Sequence, residues 1–388
     1  MKQQVKWALA LLAAAGFQAA RGDQTAGSNS VTSTAWYENM NVKGDMRYRF
    51  DNIQVEGQPN RERERIRARL GVFPKINEDV DVGIRVGTAM SVSGAPGEGN
   101  NVSENQTLTD EATQKSLYLD LGYIDYHPHE LSGLDLIGGK MANPLILMDT
   151  YLWDPDTAPE GLAVKYRVGD DVQLLVNGTY QWYKERATSD DSKLYAGQLA
   201  LNFRPSKDSH IMVGGTYYDF QNMKGFGVLD WQNSNNAMGN STTKSISGST
   251  TNLLYAEEFR VMEGFAEAGM DLGVPVKVFG SYAKNTDPSS NNKAYTAGLQ
   301  VGQTTDPGSF QVGYDYRLVE KDAFPGNLPD DDAWGGGTDG KGHKFTLVYQ
   351  LMKNLQLCGT VWLTQKKIAS GETSLDYKEF MVDVLAKF

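Results

Sequence analysis

Five arginines recur at every second position from Arg61 to Arg69. An extended strand alternates its side chains between two faces, so this spacing puts all five on one face. Arg47 and Arg49 repeat the spacing upstream, and Arg85 follows downstream. Guanidinium groups arrayed this way attract anions, orient polar solutes, or lock carboxylates in bidentate pairs. They cannot face hydrocarbon, where each would cost roughly 2–4 kcal/mol near a bilayer midplane. On adjacent strands they also repel one another unless water or carboxylates intervene. Two uses stay open: a basic wall that draws anions, or ion-paired arginines that brace an inward-folded loop.

The acidic counterpart is the segment from Asn143 to Gly161. It carries Asp149, Asp154, Asp156 and Glu160, with Tyr151 and Trp153 among them. Leu145, Ile146, Leu147 and Leu152 make it too apolar for a freely solvated loop. Folded inward, it would set carboxylates across from Arg47, Arg49, Arg65, Arg67, Arg69 and Arg85. Opposed charges at a constriction create a transverse field that favours small polar solutes over apolar ones. The competing reading is a loop that caps the rim and leaves any pore untouched.

Other chemistry fares worse. The four histidines, His127, His129, His210 and His343, lie near predicted turns and loops, and no G-x-S-x-G motif marks a nucleophile. No enzyme, cofactor or metal is expected. Asp330, Asp331 and Asp332 adjoin a glycine run but lack EF-hand spacing. The single cysteine, Cys358, excludes an internal disulfide. A formal charge of −11 argues against a nucleic-acid partner.

Strands must position these groups. Phe380, Val382, Val384, Ala386 and Phe388 share one face of the last segment, opposite Glu379, Asp383 and Lys387. An aromatic C-terminus on the apolar face of such a strand is expected of a closing barrel strand, presented to the barrel assembly machinery. About sixteen alternating segments run from residue 42 to 388, an even number as bacterial barrels require. One is read as a single long strand over 253–272. Short turns (Pro74–Glu78, Gly169–Asp171, Pro205–Asp208, Met352–Asn354) alternate with long connections (92–115, 143–159, 221–252, 320–342). That parity fits short periplasmic turns and long extracellular loops. Lys2, Lys6 and the apolar run Trp7–Phe17 read as a signal peptide over 1–22, cleaved near Ala20 or Gly22. Residues 23–41 read as a polar leader, and 42–388 as a barrel with the loop 143–160 folded inward.

Several stretches resemble the "putative porin" family of Gram-negative bacteria. They are Gly44–Asp51, Arg61–Gly71, Gly138–Pro144, Trp153–Ala163 and Gly335–His343. The resemblance implies an all-β transmembrane antiparallel barrel of sixteen strands, with the third loop as constriction. It implies little about substrate. The expected function is an outer-membrane channel for passive diffusion of small hydrophilic solutes or ions, embedded in outer-membrane lipid. A homotrimer is expected only by analogy with general porins. The alternatives are a substrate-selective anion channel, or a surface adhesin or receptor that acts through loops 221–252 and 320–342.

Overall fold

The computed structural model describes residues 40–92, 99–109, 111–231 and 234–388. The expected signal peptide and most of the expected leader lie outside them. Met40 and Asn41, placed in the leader by sequence, already pair with Pro74 and Phe73 as part of the first strand.

The described chain is all β. Its strands are β1 (Met40–Val55), β2 (Arg61–Pro74), β3 (Val80–Thr88), β4 (Gln106–Thr107), β5 (Leu117–Tyr126), β6 (Leu134–Lys140) and β7 (Glu160–Val168). There follow β8 (Val172–Lys184), β9 (Ser192–Ser206), β10 (Ser209–Gln221), β11 (Thr242–Ser247), β12 (Thr250–Tyr255) and β13 (Phe259–Asp271). The last are β14 (Pro275–Asn285), β15 (Lys293–Gly302), β16 (Phe310–Val319), β17 (Gly340–Met352), β18 (Leu355–Lys366) and β19 (Leu375–Lys387). Sixteen of them close an antiparallel barrel. The exceptions are β4, a short piece beside β2, and the separate β11–β12 hairpin. Here the sequence reading needs correction. The segment 253–272 is two elements, because Leu253–Tyr255 completes the hairpin before β13 enters the wall.

Closure follows from the solvent. Lipid offers no hydrogen-bond partner, so a sheet that spans it must leave no edge. β19 therefore pairs with β1 over an eleven-residue register, from Asp45↔Lys387 to Val55↔Tyr377. Pleating sorts the side chains. Val42, Met46 and Tyr48 of β1 are exposed on the outer face, whereas Arg49 and Asp51 are buried inside. In β19, Phe380, Val384 and Phe388 are exposed and Val382 is half-buried, while Glu379 and Asp383 point inward and are buried. Trp182, Tyr217, Tyr282 and Tyr295 stand exposed toward one end of the wall, and Phe203, Phe310, Tyr349 and Phe388 toward the other. Two aromatic girdles of this kind mark the membrane interfaces.

The seam is tight. Gly44 and Phe388 exchange backbone hydrogen bonds of 2.8 and 3.0 Å. A Cβ on Gly44 would lie 2.6 Å from the Phe388 ring and 2.6 Å from the Arg69 carbonyl oxygen. We expect Gly44→Val to displace Phe388 and slow closure. Heat-modifiable electrophoretic mobility should show a smaller folded fraction than wild type, and an unchanged fraction would mean the ring contact plays no part in closure.

Candidate functional site

A sixteen-stranded barrel is wide enough that wall side chains alone do not fill it. Here two connections enter the lumen. The first, L3 (141–159), leaves the wall between β6 and β7 yet contacts strands across the barrel. Gln198 of β9 clamps the Ile146 backbone, accepting from its N–H at 2.8 Å and donating to its carbonyl at 3.0 Å. Tyr151 shares a 2.7 Å hydrogen bond with Ser281 of β14 and donates to Glu263 of β13 at 3.2 Å. Thr296 of β15 donates to Asp149 at 3.1 Å.

The second is L7 (320–339), which sequence reading placed outside as a surface loop. It is instead largely buried, with Ala323, Phe324, Leu328, Ala333 and Trp334 at most 2% exposed. Together with Leu145, Tyr151, Leu152 and Trp153 of L3, these residues form one apolar cluster against the inner wall. Trp153 stands edge-on to Phe324 at 5.7 Å between ring centroids. L7 and L3 also bond directly: Asp154 N–H donates to the Leu328 carbonyl at 2.7 Å, and Thr150 donates to Asp330 at 2.6 Å. The glycine run makes the exit of L7 possible. Gly335, Gly336 and Gly337 all sit at φ between +83° and +86°, which other residues rarely adopt.

The arginines meet these loops. Arg49 grips Asp383 through two hydrogen bonds of 2.7 and 3.0 Å and reaches Asp332 of L7 at 2.8 Å. Arg65 lies 3.5 Å from Asp51 and 4.0 Å from Asp332, and donates to Ser103 at 3.2 Å. Arg67 bridges Asp45 at 2.9 Å and Asp156 of L3 at 3.1 Å. Arg69 pairs with Asp45 at 2.7 Å, Glu104 at 2.9 Å and Asp156 at 3.5 Å. Arg85 pairs with Asp120. Arg47 differs. It donates to Asn105 at 2.7 Å, its Nε has no partner, and it has no ion pair with a carboxylate among the described residues.

The predicted acids divide. Asp156 touches the arginine wall directly. Asp149 faces the opposite side, 2.7 Å from Arg317 of β16, a fully buried guanidinium that sequence reading did not single out. Arg317 also holds Asp315 at 2.9 Å and Asp330 at 3.5 Å, and lies 4.7 Å from the Trp362 ring centroid. Glu160 stands apart: it opens β7, is exposed, and pairs with Lys140 at 3.1 Å. Asp154 has no basic partner among the described residues and clusters with Asp330 and Asp331. Sequence reading also passed over Asp45, Asp51 and Glu104, and set Asp332 on the outside.

Electrostatics follow from burial. Burial tends to raise the Asp332 carboxyl, but Arg49 and Arg65 outweigh it and hold the pKa well below the usual range. Burial, then Asp332, pushes Asp331 up to about 8. Burial and Asp331 push Asp154 up as well.

The sequence profile of the family described as "Putative porin" matches residues 22–258 and 249–388. The chain belongs to this family. Solved barrels agree in fold. OprB of Pseudomonas putida is 11% identical, covering 90% of this chain and 94% of its own, with a TM-score of 0.57. OmpF of Salmonella typhi, solved with daunomycin, is 11% identical over 90% and 97%, with a TM-score of 0.52. OmpT of Vibrio cholerae, in a trimer form, is 13% identical over 90% and 99%, with a TM-score of 0.50. No curated protein matches the chain in sequence. The protein is an outer-membrane porin of a Gram-negative bacterium, and its family and fold are those of channels.

Two tests follow. Arg317→Gln removes the cation shared by Asp149, Asp315 and Asp330. Stripping one partner from a buried ion-pair set costs about 3–5 kcal/mol. The denaturant midpoint should fall, and proteolysis within 141–159 should accelerate; an unchanged digestion pattern would show that L3 does not depend on Arg317 for its position. The second test uses pH. Asp331 binds its proton more tightly in the fold than in an unfolded chain. Stability from that proton is complete below the ordinary carboxylate range and is lost as pH rises toward 8. Hydrogen exchange in 320–339 should therefore quicken between pH 6 and pH 9, after correction for intrinsic rates. A flat corrected profile would contradict this.

Proposed function

We propose that this porin passes small hydrophilic solutes by passive diffusion through a lumen narrowed by L3 and L7. The observation that carries the reading is L3 itself, tied to Arg67 and Arg69 through Asp156 at one end and to Arg317 through Asp149 at the other. A loop so anchored narrows the passage without blocking exchange at the mouths, and it fixes charges of both signs across a short gap. Such a field orients dipolar solutes and taxes apolar ones. No catalytic step, cofactor or metal enters this reading.

Most arginines spend their charge on neighbouring carboxylates, so the basic wall is largely neutralised. Arg47 is the exception among the six, and it keeps part of its surface open to the lumen. This supports a second reading, a channel selective for a particular anion that stops at Arg47. A homotrimer is part of the proposal, since the similar OmpT is described in a trimer form. Phe380, Val382, Val384 and Phe388 are proposed as the strand signal that the barrel assembly machinery reads.

Single-channel recording in a planar bilayer under a salt gradient tests the proposal. Discrete steps support a pore; an inserted but silent barrel would turn attention to the loops as a receptor or adhesin. Replacing Arg65, Arg67 and Arg69 together by Ala frees Asp45, Asp156 and Glu104, so the reversal potential should move toward cations. Arg47→Gln, which strands no carboxylate, should move it the same way with the loops undisturbed. Reversal potentials equal to wild type in both variants would remove the arginines from the account of selectivity.

A further inference from the structure

The outer wall carries a cleft of about 310 Å³ where four strands end beneath L7 and the connection 367–374. Register fixes its layout. Tyr316 of β16, His343 of β17, Leu363 of β18 and Lys378 of β19 are direct neighbours in one row across the sheet. One pleat nearer the cell exterior, Lys341 of β17, Gln365 of β18 and Asp376 of β19 form the next row. All lie on the lipid-facing side, because their strand neighbours Arg317, Trp362, Tyr377 and Glu379 are buried in the lumen.

The chemistry of this cleft is unusual for a lipid-facing wall. Lys341 and Lys378 form no ion pair among the described residues. An ammonium on this face is costly at the midplane and nearly free of cost near an interface. The two lysines therefore belong at headgroup depth. They sit above an apolar field: Tyr314, Phe345 and Phe380 in the row beneath are 37%, 44% and 46% exposed, and Val312 and Leu347 continue it downward. His343 and Tyr316 give the cleft aromatic faces, with ring centroids 5.0 Å apart, and Tyr314 hydroxyl bonds His343 Nδ1 at 3.0 Å. Gln365 donates to Asp376 at 3.0 Å, leaving a polar upper edge that can bond hydroxyl groups.

We propose that this cleft binds the phosphorylated sugar headgroup of an outer-leaflet glycolipid. Lys341 and Lys378 pair with its phosphates, the rings of Tyr316 and His343 support the sugar, and Gln365 and Asp376 bond its hydroxyls. The acyl chains lie on Phe345, Phe380 and Leu347. Neither a free phosphate nor a second barrel accounts for the whole pattern. Phosphate alone would not use the apolar field, and a second barrel pressed here would bury both ammonium groups.

The experiment is native mass spectrometry of the full barrel in detergent, titrated with bisphosphorylated lipid A. Each lysine near a membrane surface contributes roughly fivefold in affinity, so K341Q/K378Q should bind roughly thirtyfold more weakly. The single variant K378Q should lose about fivefold. Dephosphorylated lipid should bind wild type as weakly as the double variant binds lipid A. Heat-modifiable mobility checks that each variant is folded. Equal binding by wild type and the double variant would overturn the proposal, as would equal binding of phosphorylated and dephosphorylated lipid. Competition by inorganic phosphate at matching affinity would overturn it in favour of a free-phosphate site. Loss of an oligomeric mass with lipid binding intact would overturn it in favour of an interface between copies.

Discussion

A guanidinium inside a barrel wall has nowhere to go but the lumen, and there it needs a carboxylate. That constraint organises this molecule. Arg49, Arg65, Arg67 and Arg69 take partners first from β1 and the strand that closes onto it: Asp45 and Asp51 on β1, and Asp383 on β19. These are not enough. Asp45 serves both Arg67 and Arg69, and Asp51 serves both Arg63 and Arg65. The remaining demand is met by loops, with Glu104 from 89–116, Asp156 from L3 and Asp332 from L7. A wall of fixed positive charge thus specifies which loops turn inward. Once they do, breaking any one pair leaves an uncompensated charge in a poorly solvated place, which costs more than the intact pair contributes.

The far side of the lumen shows the same logic with fewer charges. Arg317 anchors Asp149 and Asp330, one carboxylate from each loop, and Lys344 adds a second cation 3.8 Å from Asp330. Between the two charged walls the loops meet through rings: Trp153, Phe324 and Tyr218 pack with centroid separations of 5.3 to 6.4 Å. Charge sets where the loops attach, and apolar burial fills the space between. Asn240 of the β10–β13 connection adds a polar lock, donating to the Lys321 and Phe324 carbonyls at 2.7 and 2.9 Å.

Much of this was legible in the sequence, and the limits have physical causes. Period-two alternation is local, so the barrel strands could be read from neighbours in the chain. The error at 253–272 has the same source. Leu253 and Tyr255 alternate with their neighbours like β13, and nothing local says that they pair with Thr242 and Lys244 instead. An inward loop was expected where apolar residues are contiguous, as in Leu145–Leu147. L7 carries the same signal in Phe324, Leu328 and Trp334, but glycines and aspartates separate them, and the segment read as a solvated loop. Pairings such as Arg49 with Asp332 and Arg317 with Asp149 join residues 283 and 168 positions apart, beyond the reach of any local pattern.

The neutralised wall changes what the arginines can do. A ladder of bare guanidinium groups would act as an anion trap. A ladder saturated by its own carboxylates acts as a frame, and the field felt by a passing solute comes from what the frame leaves over. Among the six inward arginines that remainder is Arg47, held by the neutral Asn105. Between the loops it is Asp154 and Asp331, which burial first and neighbouring carboxylates second raise toward protonation. The residual dipole therefore runs from a fixed cation to a set of acids whose charge varies with proton activity. In the pore as proposed, few groups are left to tune selectivity while the many paired ones hold the loops in place. This division lets a lumen dense in charge keep a narrow passage without binding strongly whatever ion enters it.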